Sequence, residues 1–365
     1  MDLILETPGT RVGKKQEMLK LDIPETKSIE IPLREIESII VGNGVQITSQ
    51  ALQVLSSYAV NIIYTSLGKP YGIYTPFANV GTVFTRRQQL IAYNDWRGCH
   101  LAIQFVYAAI KNKRRLLLYL AKNRKKSKPN KYAILRAAAR KIGTMEESLL
   151  KFSKTQAKGK KISDIRMELM GMEGKAAALY FQNYGITLPK PFRLIDRTRR
   201  PPTDPINSLL SLGYMVLLGH ITVAIAAAGL ELYGGFLHSD RSGKPSLALD
   251  LIEEFRQPIV DRLVSQLVQK GKIQKDDFDK SLNGFRLKEE KKKVYYTALR
   301  REIVGGDTSK ELFYKEGSTE NRVDTENNDK KVKLNYKREM VRQARKLANF
   351  LIGASSGYQP FVMNW

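Results

Sequence analysis

Cysteine and histidine are almost missing from this chain. The single cysteine, Cys99, excludes an intramolecular disulfide and every zinc site built from several cysteines, and it fits a reducing compartment. His100, His220 and His238 are the only histidines, too few for a zinc-finger protein. Acidic residues are also short, with 36 Asp and Glu against 61 Lys and Arg, a formal net charge of +25. The first residues, Met1-Asp2-Leu3-Ile4-Leu5-Glu6, lack the basic start and long apolar run of a secretion signal, so a cytoplasmic protein is expected. Long hydrophobic runs are limited to one. Residues 209–230 carry no Asp, Glu, Lys or Arg and are long enough to cross a bilayer. Gly213, Gly219, Gly229, Ser211, Thr222 and His220 dilute that stretch, which is read as a central buried helix ahead of a single membrane span.

What is present is a globular composition. Of 365 residues, 42% are hydrophobic and 27% charged, enough for about two domains with cores of their own. The positive excess points to a polyanionic partner. Residues 111–141 contain no acid at all, while Arg193, Arg197, Arg199 and Arg200 form a second cluster and Lys291, Lys292, Lys293, Arg300 and Arg301 a third. One such cluster reads as a solvated helix face. Three on one chain favour phosphate binding.

Short alternating runs predict strands over 18–23, 29–31 and 36–41, an apolar run predicts another over 61–64, and the turn Gly68-Lys69-Pro70 leads into 71–74, with a short helix capped by Thr48-Ser49. Beyond Thr85 the period turns helical: 90–123, 132–142, 145–153, 167–184, 204–230, 246–270 and 336–352. The fold class expected is α+β, a small β-rich domain over 1–84 followed by an all-helical domain over 85–365. Residues 305–333 are polar and read as a mobile loop or linker.

Phosphoryl-transfer enzymes need hard oxygen ligands for a divalent ion, sometimes with one imidazole. Asp250, Glu253 and Glu254 fall three and four apart and would share one face of a helix. Glu173 stands between Gly171 and Gly174 inside a helical pattern, where glycines weaken the helix. They permit close approach of a ligand or of another helix. His238 ends Gly234-Gly235-Phe236-Leu237-His238. Taken singly, each has a plain structural explanation.

In order they are more specific. Gly171-Met172-Glu173-Gly174, then Arg200-Pro201-Pro202-Thr203-Asp204-Pro205-Ile206-Asn207-Ser208, then Gly235-Phe236-Leu237-His238, then Ser246-Leu247-Ala248-Leu249-Asp250-Leu251-Ile252-Glu253-Glu254-Phe255-Arg256 resemble the "Cas one" family of CRISPR-associated spacer-acquisition integrases. The resemblance implies a homodimer made by the N-terminal β-domain and a metal held by the helical one. It maps the ligands onto Glu173, His238 and Glu253, adds Asp250 as a further catalytic acid, and leaves the part of Glu254 open. Mg²⁺ or Mn²⁺ is the implied cofactor. Double-stranded DNA and a small ferredoxin-like partner of the "Cas two" family are the implied partners. The implied reaction is attack of a DNA 3′-hydroxyl on a phosphodiester of the CRISPR array, or metal-dependent cleavage when water attacks. Phosphate contacts are assigned to Lys111, Arg114, Arg115, Lys122, Arg124, Lys125, Lys126, Arg199, Arg200 and Arg241.

The chief alternative is a basic DNA-binding architectural protein without chemistry. It accounts for the charge but not for the ordered Glu173, His238 and Glu253. An RNA-directed nuclease and a membrane-associated protein are the others.

Overall fold

The computed structural model describes every residue except 1, 6, 37, 67–68, 77–81, 156, 193, 195, 199–200, 282–283 and 306–333, and the side chains of 2, 4, 38, 69–70 and 82. Nearly all of the expected 305–333 linker therefore lies outside the described residues, as do Arg199 and Arg200. The chain divides into two compact units, Met1–Thr82 with Ile303–Arg338, and Val83–Glu302 with Glu339–Trp365.

The first unit carries two four-stranded sheets. In one, β1 (Asp2–Leu5), β5 (Ser38–Val41) and β7 (Asn61–Ser66) run parallel, and β8 (Lys69–Tyr74) closes the edge antiparallel. In the other, β2 (Arg11–Lys15), β3 (Met18–Asp22) and β4 (Ile29–Pro32) form an antiparallel meander, with β6 (Gln46–Ile47) parallel to β2. Alternation puts Leu19 and Leu21 of β3 inward, where they join Ile39, Ile62 and Leu55 in one core. Helix α1 (Ser49–Ser57) starts as the sequence predicts, the Thr48 hydroxyl accepting from Ala51 N at 3.2 Å. Strands β1 and β2 were not expected, being short segments flanked by charge.

The second unit is mostly helical. Its elements are α2 (Thr82–Ala92), α3 (Trp96–Lys122), α4 (Pro129–Thr155), α5 (Ile162–Ile186), α6 (Pro205–Ala227), α7 (Ser246–Leu251), α8 (Arg262–Gln269), α9 (Glu289–Val304) and α10 (Tyr336–Leu351). Three expected spans are corrected. Residues 90–123 hold a break, because Asp95 caps α3 by accepting from Arg97 N at 2.8 Å. The helices expected at 132–142 and 145–153 are one, since Gly143 makes room rather than a turn. A methyl group there would lie 3.2 Å from the Arg114 guanidinium. Residues 246–270 are not one helix but α7, a 3₁₀ turn (Ile252–Glu254), a π segment (Arg256–Asp261) and α8. A hairpin of β9 (Phe278–Ser281) and β10 (Gly284–Leu287) interrupts the expected all-helical domain.

Helix α6 is the apolar stretch, and Leu209, Leu210, Leu217, Ile221 and Ile225 are fully buried in this unit. Its start is capped by Asp204 with Pro205 in the first turn. That is the central helix expected from its small residues.

The break after Glu254 follows from Pro258. Proline has no N–H to give to the carbonyl four residues back, so the Glu254 carbonyl needs another donor. Asn112 on α3 supplies it through Nδ2 at 2.9 Å, and its Oδ1 accepts from Met363 N at 3.0 Å. The Glu254 carboxylate turns the same way, accepting from Tyr358 Oη at 2.5 Å and Phe361 N at 2.7 Å. Burial pushes this carboxyl up from its ordinary 4.5 to about 8, with Glu339 adding to the rise and the two hydrogen bonds and Lys346 opposing it.

A carboxyl that holds its proton more tightly folded than unfolded stabilises the fold at low pH and loses that contribution as pH climbs towards 8. The melting temperature is therefore expected to fall between pH 6.5 and 8.5. Glu254→Gln, which keeps an acceptor and cannot ionise, flattens that slope. Scanning calorimetry of both proteins checks this, and parallel slopes would clear Glu254 of any part in it.

Candidate functional site

Glu173 sits midway along α5, whose buried Ile165, Leu169, Ala176 and Tyr180 form the inward stripe. A methyl group built on Gly171 or Gly174 would meet no atom within 4 Å. Neither glycine serves helix packing among the described residues.

Glu173 and Glu253 line one cavity of about 370 Å³, together with Lys113, Asp196, Arg197, Tyr214 and Arg256. The two acids are far apart in sequence and are brought together by α5 and the 3₁₀ turn. Each carboxylate is held by a cation. Lys113 Nζ, 2% exposed, lies 2.6 Å from Glu173 Oε1, and Arg256 Nη1 lies 2.8 Å from Glu253 Oε1. The Arg256 guanidinium also stands 4.9 Å over the Tyr214 ring, and that of Arg197 5.4 Å over the same ring. Burial works against the Arg256 charge, but Glu253 and its other anionic neighbours hold its pKa above the usual value.

Tyr214 is fixed from behind by Asp261. The fully buried Asp261 carboxylate accepts from Tyr214 Oη at 2.6 Å and Tyr180 Oη at 2.8 Å, and its backbone carbonyl accepts from Tyr184 Oη at 2.7 Å. Burial raises the Asp261 carboxyl to about 6, against the pull of the two phenols. It also pushes the Tyr180, Tyr184 and Tyr214 hydroxyls well above their usual range, so all three remain donors at neutral pH.

His238 does not line this cavity. It lies on the loop after α6, wrapped around Asp250. One Asp250 oxygen accepts from Phe236 N at 2.6 Å and Leu237 N at 3.0 Å; the other accepts from His238 N at 2.9 Å and Nδ1 at 2.7 Å. Gly235 is required for the wrap, because a methyl group there would fall 2.6 Å from Ser246 Cβ. A carboxylate only accepts, so neutral His238 carries its proton on Nδ1 and its lone pair on Nε2.

The sequence placed Asp250, Glu253 and Glu254 on one helical face. The broken helix sends them three ways: Asp250 behind His238, Glu253 into the cavity, Glu254 towards the 358–361 segment. Asp250 is fully buried with both oxygens engaged, so it positions the histidine loop and is not free to act as a catalytic acid. Glu254 takes no part in the cavity.

The assigned phosphate contacts also separate. Lys111 and Arg114 are turned onto Glu146, at 3.2 and 3.0 Å. Arg124 is buried and donates to the carbonyls of Leu120 at 2.6 Å and Thr187 at 2.8 Å. Of these three, only Arg124 is buried. Lys122, Lys125, Lys126 and Arg241 are exposed, and Arg115 donates to Met363 O at 2.7 Å. Lys113 and Arg256 at the cavity were not singled out from sequence. Nothing in the charge run distinguishes Lys113, but its phase on α3 places it opposite Arg115.

Two carboxylates and an imidazole with a free Nε2 are an oxygen-and-nitrogen donor set of the kind that suits Mg²⁺ or Mn²⁺. The three side chains are not gathered into one shell: among the described residues no three His, Cys, Asp or Glu stand close enough to hold an ion. The donor chemistry fits a hard divalent ion, with His238 on the neighbouring loop rather than on the cavity wall.

Residues 3–301 match the family model described as "CRISPR associated protein Cas1". A CRISPR-associated endonuclease of Archaeoglobus fulgidus is 28% identical over the full length of both chains, and one of Thermus thermophilus is 32% identical over 92% of this chain and 88% of its own. Among solved structures, a partial Cas6-RT-Cas1–Cas2 complex aligns with a TM-score of 0.70 at 22% identity, covering 100% of this chain and 99% of that one. A casposase bound to integration product aligns at 0.66 and 21% identity, covering 99% and 94%. These two likenesses are of fold. The family model, the Thermus relative and the α+β architecture lead to one conclusion: the chain belongs to the Cas1 family of CRISPR-associated proteins.

Proposed function

We propose that Glu173, His238 and Glu253 hold a divalent ion, Mg²⁺ or Mn²⁺, and that the cavity bordered by the two glutamates performs phosphoryl transfer on DNA. The observation that carries this is the convergence of Glu173 and Glu253 on one cavity edged with Lys113, Arg197 and Arg256. Nucleases of this family are metal-dependent. The ion supplies Lewis acidity at a phosphate oxygen and lowers the pKa of the attacking hydroxyl.

The chain's own residues do the rest. Lys113, Arg197 and Arg256 offset the negative charge that grows on the non-bridging oxygens. Tyr214, held by Asp261, keeps both arginines on the cavity wall. A DNA 3′-hydroxyl attacks phosphorus, a new phosphodiester P–O bond forms, and the P–O3′ bond of the target strand breaks. The proton lost by the attacking hydroxyl balances the one gained by the departing 3′-oxygen. With water as nucleophile the same exchange is hydrolysis. Exposed Lys122, Lys125, Lys126 and Arg241 hold duplex phosphates without reading sequence.

The same proposal gives the β-rich unit the role of pairing two copies and the mostly helical unit that of catalysis, with foreign DNA fragments and the CRISPR repeat as substrates in the cytoplasm. A small partner of the Cas2 type is supported by the solved complex that contains one. The architectural reading is not favoured, since the curated relatives are endonucleases.

Glu173→Gln, His238→Ala and Glu253→Gln are each expected to lower metal-dependent cleavage and strand transfer by about 100-fold or more. Gln is the better choice at 173, because it leaves buried Lys113 an acceptor where Ala would strand its charge. The measurement is joining of a labelled duplex with free 3′-hydroxyls into a repeat-bearing plasmid. Folded variants with full activity would sink the ligand assignment.

Asp250 generates a separate expectation. Asp250→Ala leaves three backbone N–H groups without their acceptor, at about 1–3 kcal/mol each, so the denaturant midpoint drops sharply. Asp250→Asn keeps the shape and loses about 10- to 100-fold in activity by misdirecting the imidazole. An unchanged midpoint in Asp250→Ala would show that the loop does not depend on it.

A further inference from the structure

Lys113 and Arg115 are two residues apart on α3, so they leave the helix on opposite sides. Lys113 faces the cavity of Glu173. Arg115 faces a second cavity of about 790 Å³, bordered by Tyr119, Tyr132, Trp365, Lys122 and Arg136. The two cavities share no lining residue. No Asp or Glu side chain lines the second one among the described residues.

Its construction is specific. The Tyr119 and Trp365 rings lie 5.6 Å apart at 31°, giving an aromatic floor, and Tyr132 stands at the start of α4. The segment carrying Trp365 is tied to α3 by Arg115, which donates to Met363 O at 2.7 Å and also to Asn364 Oδ1, and by Met363 N donating to Asn112. Lys122 and Arg136 are exposed at the rim. The volume lies within the about 300–1,000 Å³ of small-ligand sites.

We propose that this second cavity binds an unpaired nucleotide of the DNA substrate, with the base on the Tyr119, Tyr132 and Trp365 rings and the phosphate at Arg115, Lys122 and Arg136. A duplex offers its phosphates to a basic surface but keeps its bases stacked inside, so concave aromatic faces are of no use to it. An unpaired base has a free π-face, and stacking on aromatics beside cations is how single strands are held without sequence preference. The inference rests on the DNA-acting reading above. It adds a place for a single-stranded end on the side of α3 away from the reacting phosphodiester.

The test uses the full chain with Trp96→Phe, which leaves Trp365 as the sole tryptophan. Its emission is followed without metal while a twelve-nucleotide oligothymidylate, a blunt twelve-base-pair duplex or thymidine monophosphate is added. Quenching by the single strand, at least tenfold tighter than by either alternative, is the expected result. Tyr132→Ala is expected to weaken strand binding about 5- to 150-fold, and Tyr132→Phe to restore it. Arg136→Glu, on an exposed side chain that cannot upset the core, weakens it at least fivefold. Equal quenching by the blunt duplex overturns the proposal, and monophosphate binding as tight as the strand reassigns the cavity to free nucleotides. Unchanged strand affinity in Arg136→Glu and Tyr132→Ala, with DNA cleavage intact, overturns this inference and leaves the nuclease reading standing. Intact strand quenching with no cleavage by the unmodified chain overturns the nuclease reading instead.

Discussion

The buried Asp261 carboxylate is the constraint on which the mostly helical unit depends. Removing a carboxylate from water is costly, and the cost is offset only where donors surround it. Here the donors are phenols from two helices, Tyr180 on α5 and Tyr214 on α6, while Tyr184 takes the backbone carbonyl of the same residue. Three elements are thereby locked in register: the helix carrying Glu173, the helix before the His238 loop, and the π segment after Glu253. Gly213 makes the approach feasible, since a methyl group there would collide with Val260 and with the Tyr295 hydroxyl. That hydroxyl donates to Leu209 O at 2.8 Å, pinning α9 to the same helix. The cavity of Glu173 and Glu253 is the space left between elements so tied.

A net charge of +25 says little about which cations meet DNA, and the structure sorts them by helical phase. Along α3 the basic residues fall on different sides. Lys111 and Arg114 serve Glu146 and hold α4, Lys113 serves Glu173, and Arg115 serves the 363–364 segment. Arg124 is spent on two carbonyls at the end of that run. What remains for a polyanion is the exposed subset, which is smaller than the composition suggests. At the cavity of Glu173 and Glu253 the nearest cations are likewise engaged, Lys113 with Glu173 and Arg256 with Glu253.

Much of this was legible in the sequence, and what was not has identifiable causes. Alternation in β3 and β4 marks half-buried strands, the apolar run of β7 marks a buried one, and the motif order around Glu173, His238 and Glu253 leads to the family. The helix expected over 246–270 fails at one residue. Apolar periodicity records which side faces the core, and it continues through Pro258 because the π segment still buries Ile259 and Val260. It does not record the hydrogen-bond ladder, and the orphaned Glu254 carbonyl finds its donor in Asn112, 142 residues upstream. A local window contains no trace of that partner. Gly143 misleads for the opposite reason: read as a break, it is a packing choice dictated by Arg114 on another helix.

Asn112, Lys113 and Arg115 show how one stretch of α3 couples regions that the sequence keeps apart. Asn112 holds the 3₁₀ turn through the Glu254 carbonyl and the 361–363 segment through Phe361 O and Met363 N. Lys113, the next residue, reaches the acid on α5; Arg115 holds the segment bearing Trp365. A shift of α3 along its axis would therefore move the Lys113–Glu173 pair, the support of Glu253 and the floor of the second cavity together. Packed helices resist such sliding because their side chains interdigitate at close to crystal density. The arrangement favours a rigid α3 with two working sides over two independently mobile sites.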